Sequence, residues 1–188
     1  SFAVIQIVTQ TVNAVNKSKA MRGMLESTLG VDKGAWLPEF ATKKFRSGAA
    51  ESKPFPVKDG NLTPGKVAVY STCYVNYNEP GIGHDLLALL DHNEIPYVLV
   101  DKEVCCGMPK LEQGDLKGVE EKKNINIPHL AKLAKQGYAI LTAIPSCTLM
   151  YKQELPLMFP DCADTQLVKE AMWDPFEYFM ARKRDGLL

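Results

Sequence analysis

From Lys66 onward the chain alternates short apolar runs with stretches whose apolar residues recur every three to four positions. The runs "KVAVYS" (66–71), "IPYVLV" (95–100) and "YAILTAI" (138–144) are predicted strands, and their near-continuous apolar character predicts burial on both faces, as in a parallel sheet. Between the first two, "HDLLALLDHNE" sets Leu86, Leu87 and Leu90 on one helical face, and a second helix is predicted from about Lys117 to Lys135. Strand, helix, strand, helix, strand is the signature of right-handed parallel crossovers. The expected fold class is therefore α/β, a Rossmann-like parallel sheet of three to four strands flanked by helices. A further short helix is predicted in "TLMYKQELPLMF", and one or two more in the tail, interrupted at Pro175.

Upstream the pattern changes. Residues 2–29 read as helical, with Phe2, Ile5, Val8, Val12 and Val15 on one stripe and a second short helix stopping at Gly30. The stripe lacks flanking Trp and an Arg-rich opposite face, so packing on its own or a neighbouring domain is expected ahead of a membrane surface. From Gly34 to Gly65 the text is rich in Pro, Gly, Lys and Ser and no period survives. The expected organisation is a helical segment at 1–33, a linker at 34–65 and a cysteine-rich α/β domain at 66–188, with no internal repeat.

Composition narrows the function classes. Of 188 residues, 46% are hydrophobic, enough for a real core, and 22 basic residues balance 22 acidic ones. A formal net charge of zero speaks against nucleic acid as the main partner. No run approaches the ~20 apolar residues needed to span a bilayer, and the opening lacks the basic start and small-residue cleavage site of a signal peptide. Five cysteines is an odd number in a chain too large to need disulfide staples, which favours a reducing compartment and metal or redox use. The cytoplasm is expected, and the apolar N-terminal stripe leaves open a peripheral place on the inner face of the membrane.

Four of the five cysteines follow predicted strands: Cys73 after the first, the Cys105–Cys106 pair after the second, Cys147 after the third. Cys73 and Cys105 are 32 positions apart and Cys106 and Cys147 are 41 apart, each near the length of one βα unit. Parallel neighbours would bring all four sulfurs to the one sheet edge where open α/β folds hold ligands. Thiolate is the soft ligand preferred by zinc and iron–sulfur clusters. Gly107 permits a positive φ and a close backbone approach to bulky inorganic sulfide, while Pro109 and Pro145 stiffen the loops. For Cys162 alone, a small buried hydrophobe is the plainer expectation.

Cys73, "VCCGMP" and "PSCTLM" together resemble the cysteine-rich CCG domain of the heterodisulfide reductase B subunit, the glycolate oxidase iron–sulfur subunit and the C subunit of anaerobic glycerol-3-phosphate dehydrogenase. "LGVDKGAWLPEFA", "NEPGIGHDLLALLDHN" and "CCGMPKLEQGDL" resemble the glycerol-3-phosphate dehydrogenase type in particular. The resemblance implies the first CCG domain of a longer protein. It implies an iron–sulfur protein, part of an oxidoreductase complex, that passes electrons between a flavin-containing dehydrogenase subunit and a disulfide or quinone acceptor, with a second CCG domain as partner. The implied ligands are Cys73, Cys105, Cys106 and Cys147, with Gly107 beside them, and the implied cofactor is an iron–sulfur cluster of the [4Fe-4S] kind. The family pattern ends in Cys-x-x-Cys, however, and here the first of that pair is Ile144. Five ligands become four, which leaves zinc, or no metal in a degenerate interaction domain, as the alternative. A Cys105–Cys106 vicinal disulfide is a third reading; such a ring is strained and easily reduced.

Other signals are weaker. Gly81 and Gly83 echo a dinucleotide loop without its third glycine, and read as a turn into a helix. His84 is expected to face solvent, and Lys110, Glu112 and Asp115 to form a solvated loop. No Ser/His/Asp arrangement or phosphate loop stands out.

Overall fold

A computed structural model describes the backbone of residues 2–188 and the side chains of residues 7–188. Two helices open the chain, α1 (Phe2–Lys17) and α2 (Lys19–Leu29). Gly30 ends α2 at φ +69°, a left-handed cap that a residue with a Cβ adopts only at a cost. Phe2 and Ile5 of the expected apolar stripe lie outside the described side chains; Val8 and Val12 are exposed. Among the described residues no helix is long and apolar enough to cross a membrane.

The α/β part then alternates: α3 (Phe45–Gly48), β1 (Val67–Val69), α4 (Cys73–Tyr77), α5 (Pro80–His92), β2 (Tyr97–Leu99), α6 (Met108–Glu112), α7 (Leu116–Lys135), β3 (Ala139–Leu141) and α8 (Pro145–Leu149). A π-helical turn (Met150–Glu154) continues α8 into α9 (Leu155–Met158), and α10 (Ala163–Ala171), β4 (Met172–Trp173) and α11 (Pro175–Arg184) follow. The four strands are parallel in the order β2-β1-β3-β4. The chain moves outward from β1 to β2, then crosses back over β1 to β3. The loops above β1 and β3 therefore diverge, which makes the edge there the topological switch point of an open α/β sheet.

Strand alternation sorts the core into two layers. Ala68, Tyr70 and Ile140 face Val119, Ile127 and Leu130 of α7 and the helical run from Cys147 to Leu155. Val67, Val69, Ala139 and Leu141 face Leu86, Leu87 and Leu90 of α5, Phe45 of α3 and Tyr178 of α11. Each fully buried aliphatic or aromatic side chain contributes about 1.5–3 kcal/mol.

Some expectations need adjusting. The strands are three residues long, shorter than their apolar runs, because the flanking residues leave the ladder to shape the loops above it. Residues 73–77, read as loop, form α4, and Cys147, placed before its helix, lies within α8. β4, two residues long, is too short for any period to register in the sequence. The stretch from Gly34 to Gly65 is tied down: Phe45 is fully buried beneath α5. Gly83 makes that contact feasible, since a Cβ there would lie 2.6 Å from the Phe45 ring. Farther along, Asp185 accepts hydrogen bonds from the Asn61, Leu62 and Thr63 amides at 3.1–3.2 Å and from the Thr63 hydroxyl at 2.9 Å. Buried Arg182 donates to the Lys58 carbonyl at 2.7 Å.

Candidate metal centre

Three strand ends deliver four thiols to the switch-point edge. Cys73 opens α4 after β1, Cys105 and Cys106 lie in the loop after β2, and Cys147 sits in the first turn of α8 after β3. The sulfurs run as a chain. Cys73 Sγ stands 4.0 Å from Cys105 Sγ, and Cys147 Sγ stands 3.2 Å from Cys106 Sγ. Exposure grades along it, from exposed Cys73 through half-buried Cys105 to buried Cys106 and Cys147. Among the described residues no three His, Cys, Asp or Glu side chains are placed to hold a single metal ion.

Cys73, Cys105 and Cys106 shift one another's protonation. Cys105 is held well below the usual thiol range by hydrogen bonds from Cys106 and Cys73, with the Gly107 amide and Lys122 adding to the effect. Cys106 is pushed far up by its bonds to Cys105 and Cys147 and by burial, and Cys73 is pushed up by its bond to Cys105 and by partial burial. Cys105 is thus the member presented as thiolate, the form that binds metal.

The backbone around the sulfurs is constrained. Gly107 has φ +100° and caps α6. A Cβ there would meet only ordinary contacts, Met150 Cε at 3.5 Å and Lys122 Cβ at 3.7 Å, so backbone conformation rather than crowding requires glycine. Thr72, immediately before Cys73, sits at φ 66°, ψ 160°, a region occupied almost only by glycine. Its hydroxyl accepts the Val75 amide at 3.2 Å, which ties the strained residue to the first turn of α4.

The loop before Cys105 is clamped from α7. Asn126 is buried; its Oδ1 accepts the Val104 amide at 3.0 Å and its Nδ2 donates to the Cys105 carbonyl at 3.1 Å. The Tyr70 hydroxyl donates to the Val104 carbonyl. On the open side, a cleft of about 400 Å³ is lined by Arg46, Thr72, Cys73, Asn76, Glu103 and Cys105 among others. Glu103 accepts the Ser71 amide at 2.8 Å and pairs with Arg46 at 3.4 Å. Burial nonetheless pushes its carboxyl above the ordinary range.

Cys162 stands apart as the N-cap of α10. The Thr165 hydroxyl and nearby amides hold its thiol below the usual range, and Lys123 acts in the same direction. Ile144 packs against both hydrophobic layers. His84 is exposed, edge-on to Phe45 at 5.1 Å. Gly81 and Gly83 lie inside the first turns of α5. Lys110 pairs with Asp115 at 3.0 Å, and Asp115 caps α7, a local loop arrangement.

Sequence reasoning missed Thr72, Asn126 and the Arg46–Glu103 pair. Asn126 had a readable signal, being a polar residue on the buried stripe Val119–Leu130 of its helix. The strain at Thr72 had none, because β-branched residues ordinarily avoid that conformation.

Residues 67–152 match the family described as CCG, a cysteine-rich domain. The chain is 28% identical over 150 residues to the C subunit of anaerobic glycerol-3-phosphate dehydrogenase of Escherichia coli (strain K12), an alignment covering 77% of this chain and 36% of that protein. It is 26% identical over 145 residues to the B subunit of fumarate reductase (CoM/CoB) of Methanothermobacter marburgensis, covering 77% of this chain and 28% of that protein. Over 96 residues it is 26% identical to lactate utilization protein A of Bacillus thuringiensis, with 51% and 38% covered. This chain thus spans only about a third of the length of these relatives. No solved structure matches. The matched span contains all four gathered cysteines, and over residues 67–152 this chain is similar to the cysteine-rich CCG domain.

Proposed function

We propose that the domain binds an iron–sulfur cluster through Cys73, Cys105, Cys106 and Cys147 and passes electrons within an oxidoreductase complex. The observation that carries this reading is the delivery of four thiols by three strand ends to one edge, with sulfurs 4.0 and 3.2 Å apart in two pairs. The donor set fits: all four ligands are soft sulfur. Cys105 is offered already as thiolate, Cys106 and Cys147 anchor the buried side, and Asn126 holds the loop between them in register. When bound, a [4Fe-4S] cluster supplies one-electron acceptor chemistry. The protein presents the Cys73 and Cys105 side to the cleft, so a redox partner approaches there, and buried Cys106 and Cys147 keep water from the other side. The relatives include subunits of a dehydrogenase and of a reductase, which supports work inside a complex. A flavin-containing subunit and a second CCG domain are the partners that fit, in the cytoplasm or at the inner face of the membrane.

Zinc is the second reading, in a degenerate half that serves as an interaction domain. Ile144, packed into the core where the family pattern has a fifth cysteine, favours it. So do the sulfur separations of 4.0 and 3.2 Å, which bracket the roughly 3.8 Å between thiolates bound tetrahedrally at about 2.3 Å from zinc.

Purification without oxygen, a visible spectrum and assays of iron, acid-labile sulfide and zinc decide between them. A brown protein with about four irons, bleached by Cys106→Ser and unaffected by Cys162→Ser, is the expected outcome. Colourless protein with one zinc, or with neither metal, overturns the cluster reading and supports the degenerate interaction domain, with zinc in the first case and metal-free in the second.

A further inference from the structure

Tyr151 carries an unexplained hydroxyl beside the sulfurs. It lies in the π-helical turn, its side chain is fully buried, and its Oη has no hydrogen-bond partner. A buried hydroxyl left unpaired bears the full desolvation penalty with nothing in return, so a native protein that keeps one calls for an explanation. Position supplies it. Tyr151 follows Cys147 by four residues on one continuous helical run, which stacks the two side chains on the same face. Its ring meets Tyr70 edge-on at 5.4 Å and packs in the same buried cluster as Cys106 and Cys147.

The neighbouring Tyr70 hydroxyl donates to the Val104 carbonyl and accepts from Asn126 at 3.4 Å. It lies close enough to Tyr151 to act on it, but no hydrogen bond joins the two hydroxyls. A phenol hydroxyl is a hydrogen-bond donor at neutral pH. The π turn itself is a local rearrangement of helical register, of a kind frequent at functional sites.

Resting on the cluster reading above, we propose that Tyr151 donates a hydrogen bond to sulfur of the group held by Cys106 and Cys147, and thereby sets how readily that group accepts an electron. A donor to sulfur stabilises the more negative, reduced state, and hydrogen bonding at sulfur is one of the levers that set cluster potentials. Tyr151 is a positioning residue: it tunes the group without ligating it.

Tyr151→Phe removes the hydroxyl and keeps the ring packing. In anaerobically purified protein the variant retains wild-type iron and sulfide. Reductive titration with dithionite then shows reduction disfavoured about tenfold, equivalent to a midpoint ~59 mV lower for a one-electron step. Iron–sulfur stretching bands that shift in D2O in the wild type lose that sensitivity in the variant. Replacing Tyr151 with 3-fluorotyrosine, a stronger donor, moves the midpoint the other way. Equal midpoints and equal D2O sensitivity in iron-loaded proteins overturn this proposal alone. A wild-type protein that takes up no iron overturns it together with the reading beneath it.

Discussion

Asn126 offers the sharpest test of how α7 builds the cysteine site. In Asn126→Ala the Val104 amide loses its acceptor and the Cys105 carbonyl its donor, at bonds of 3.0 and 3.1 Å. The Val104 carbonyl keeps its bond from Tyr70, so two backbone groups are orphaned rather than three. Each buried orphan costs about 1–3 kcal/mol. Because the loop can open toward the cleft and admit water, the expected sum is about 2–4 kcal/mol, or a midpoint of thermal unfolding lower by about 5–15 °C for a chain of this size. Urea unfolding of reduced, metal-free protein measures the loss. The same variant is expected to lower metal affinity about 10–100-fold, read by competition with a chelator. Asn126→Asp separates two causes: it keeps the acceptor for Val104 but sets a buried carboxylate beside the Cys105 carbonyl and thiol, so its defect should shrink as pH falls, starting above the ordinary carboxylate pKa of about 3.9 because burial and like charge raise that carboxyl. A loss under about 0.5 kcal/mol for Asn126→Ala, the size of an ordinary surface substitution, would refute the clamp.

Three further outcomes follow from the geometry. Thr72→Gly releases a strained backbone worth about 1–3 kcal/mol, whereas Thr72→Ala keeps the strain and loses a cap worth ~1 kcal/mol. The glycine variant is therefore expected to be the more stable of the two in urea, and the reverse order refutes the strain. Ile144→Cys, at the N-cap of α8 three residues before Cys147, restores the five-cysteine pattern; a changed visible spectrum at equal or higher iron content is expected, and an unchanged spectrum would show that the position is out of reach of the site. For Asp185, partial desolvation pushes the carboxyl up, but the Thr63 hydroxyl and the Asn61, Leu62 and Thr63 amides outweigh it and hold the pKa below the usual range. A depressed native pKa stabilises above the unfolded value and fades as pH falls through the native one, so the stability gap between wild type and Asp185→Asn should be flat near neutrality and close below about pH 4.

Much of the fold was legible because its signals are local. Apolar runs at 66–71, 95–100 and 138–144 and the helical periods between them are enough to specify parallel βαβ units, and handedness then brings the strand ends together. That logic alone gathers Cys73, Cys105, Cys106 and Cys147. The same reasoning leaves Cys162 aside, and the structure sets it apart at the start of α10. The connector at 34–65 reads as structureless because the burial of Phe45 and the contacts of Arg46, Asp59 and Gly65 depend on partners beyond any window of neighbouring residues, Arg46 reaching as far as the Val100 carbonyl.

Residue type and periods shorter than one βα unit were enough for the α/β alternation, the cysteine spacing and the presence of Ile144 where the resembled pattern has a cysteine. Tertiary structure decided the rest. It placed Asn126 against the Cys105 loop, Tyr151 one turn beyond Cys147, and Thr72 in a conformation its own side chain disfavours. Those outcomes rest on packing between segments distant in sequence, where a local preference is overruled only once the surrounding core has closed.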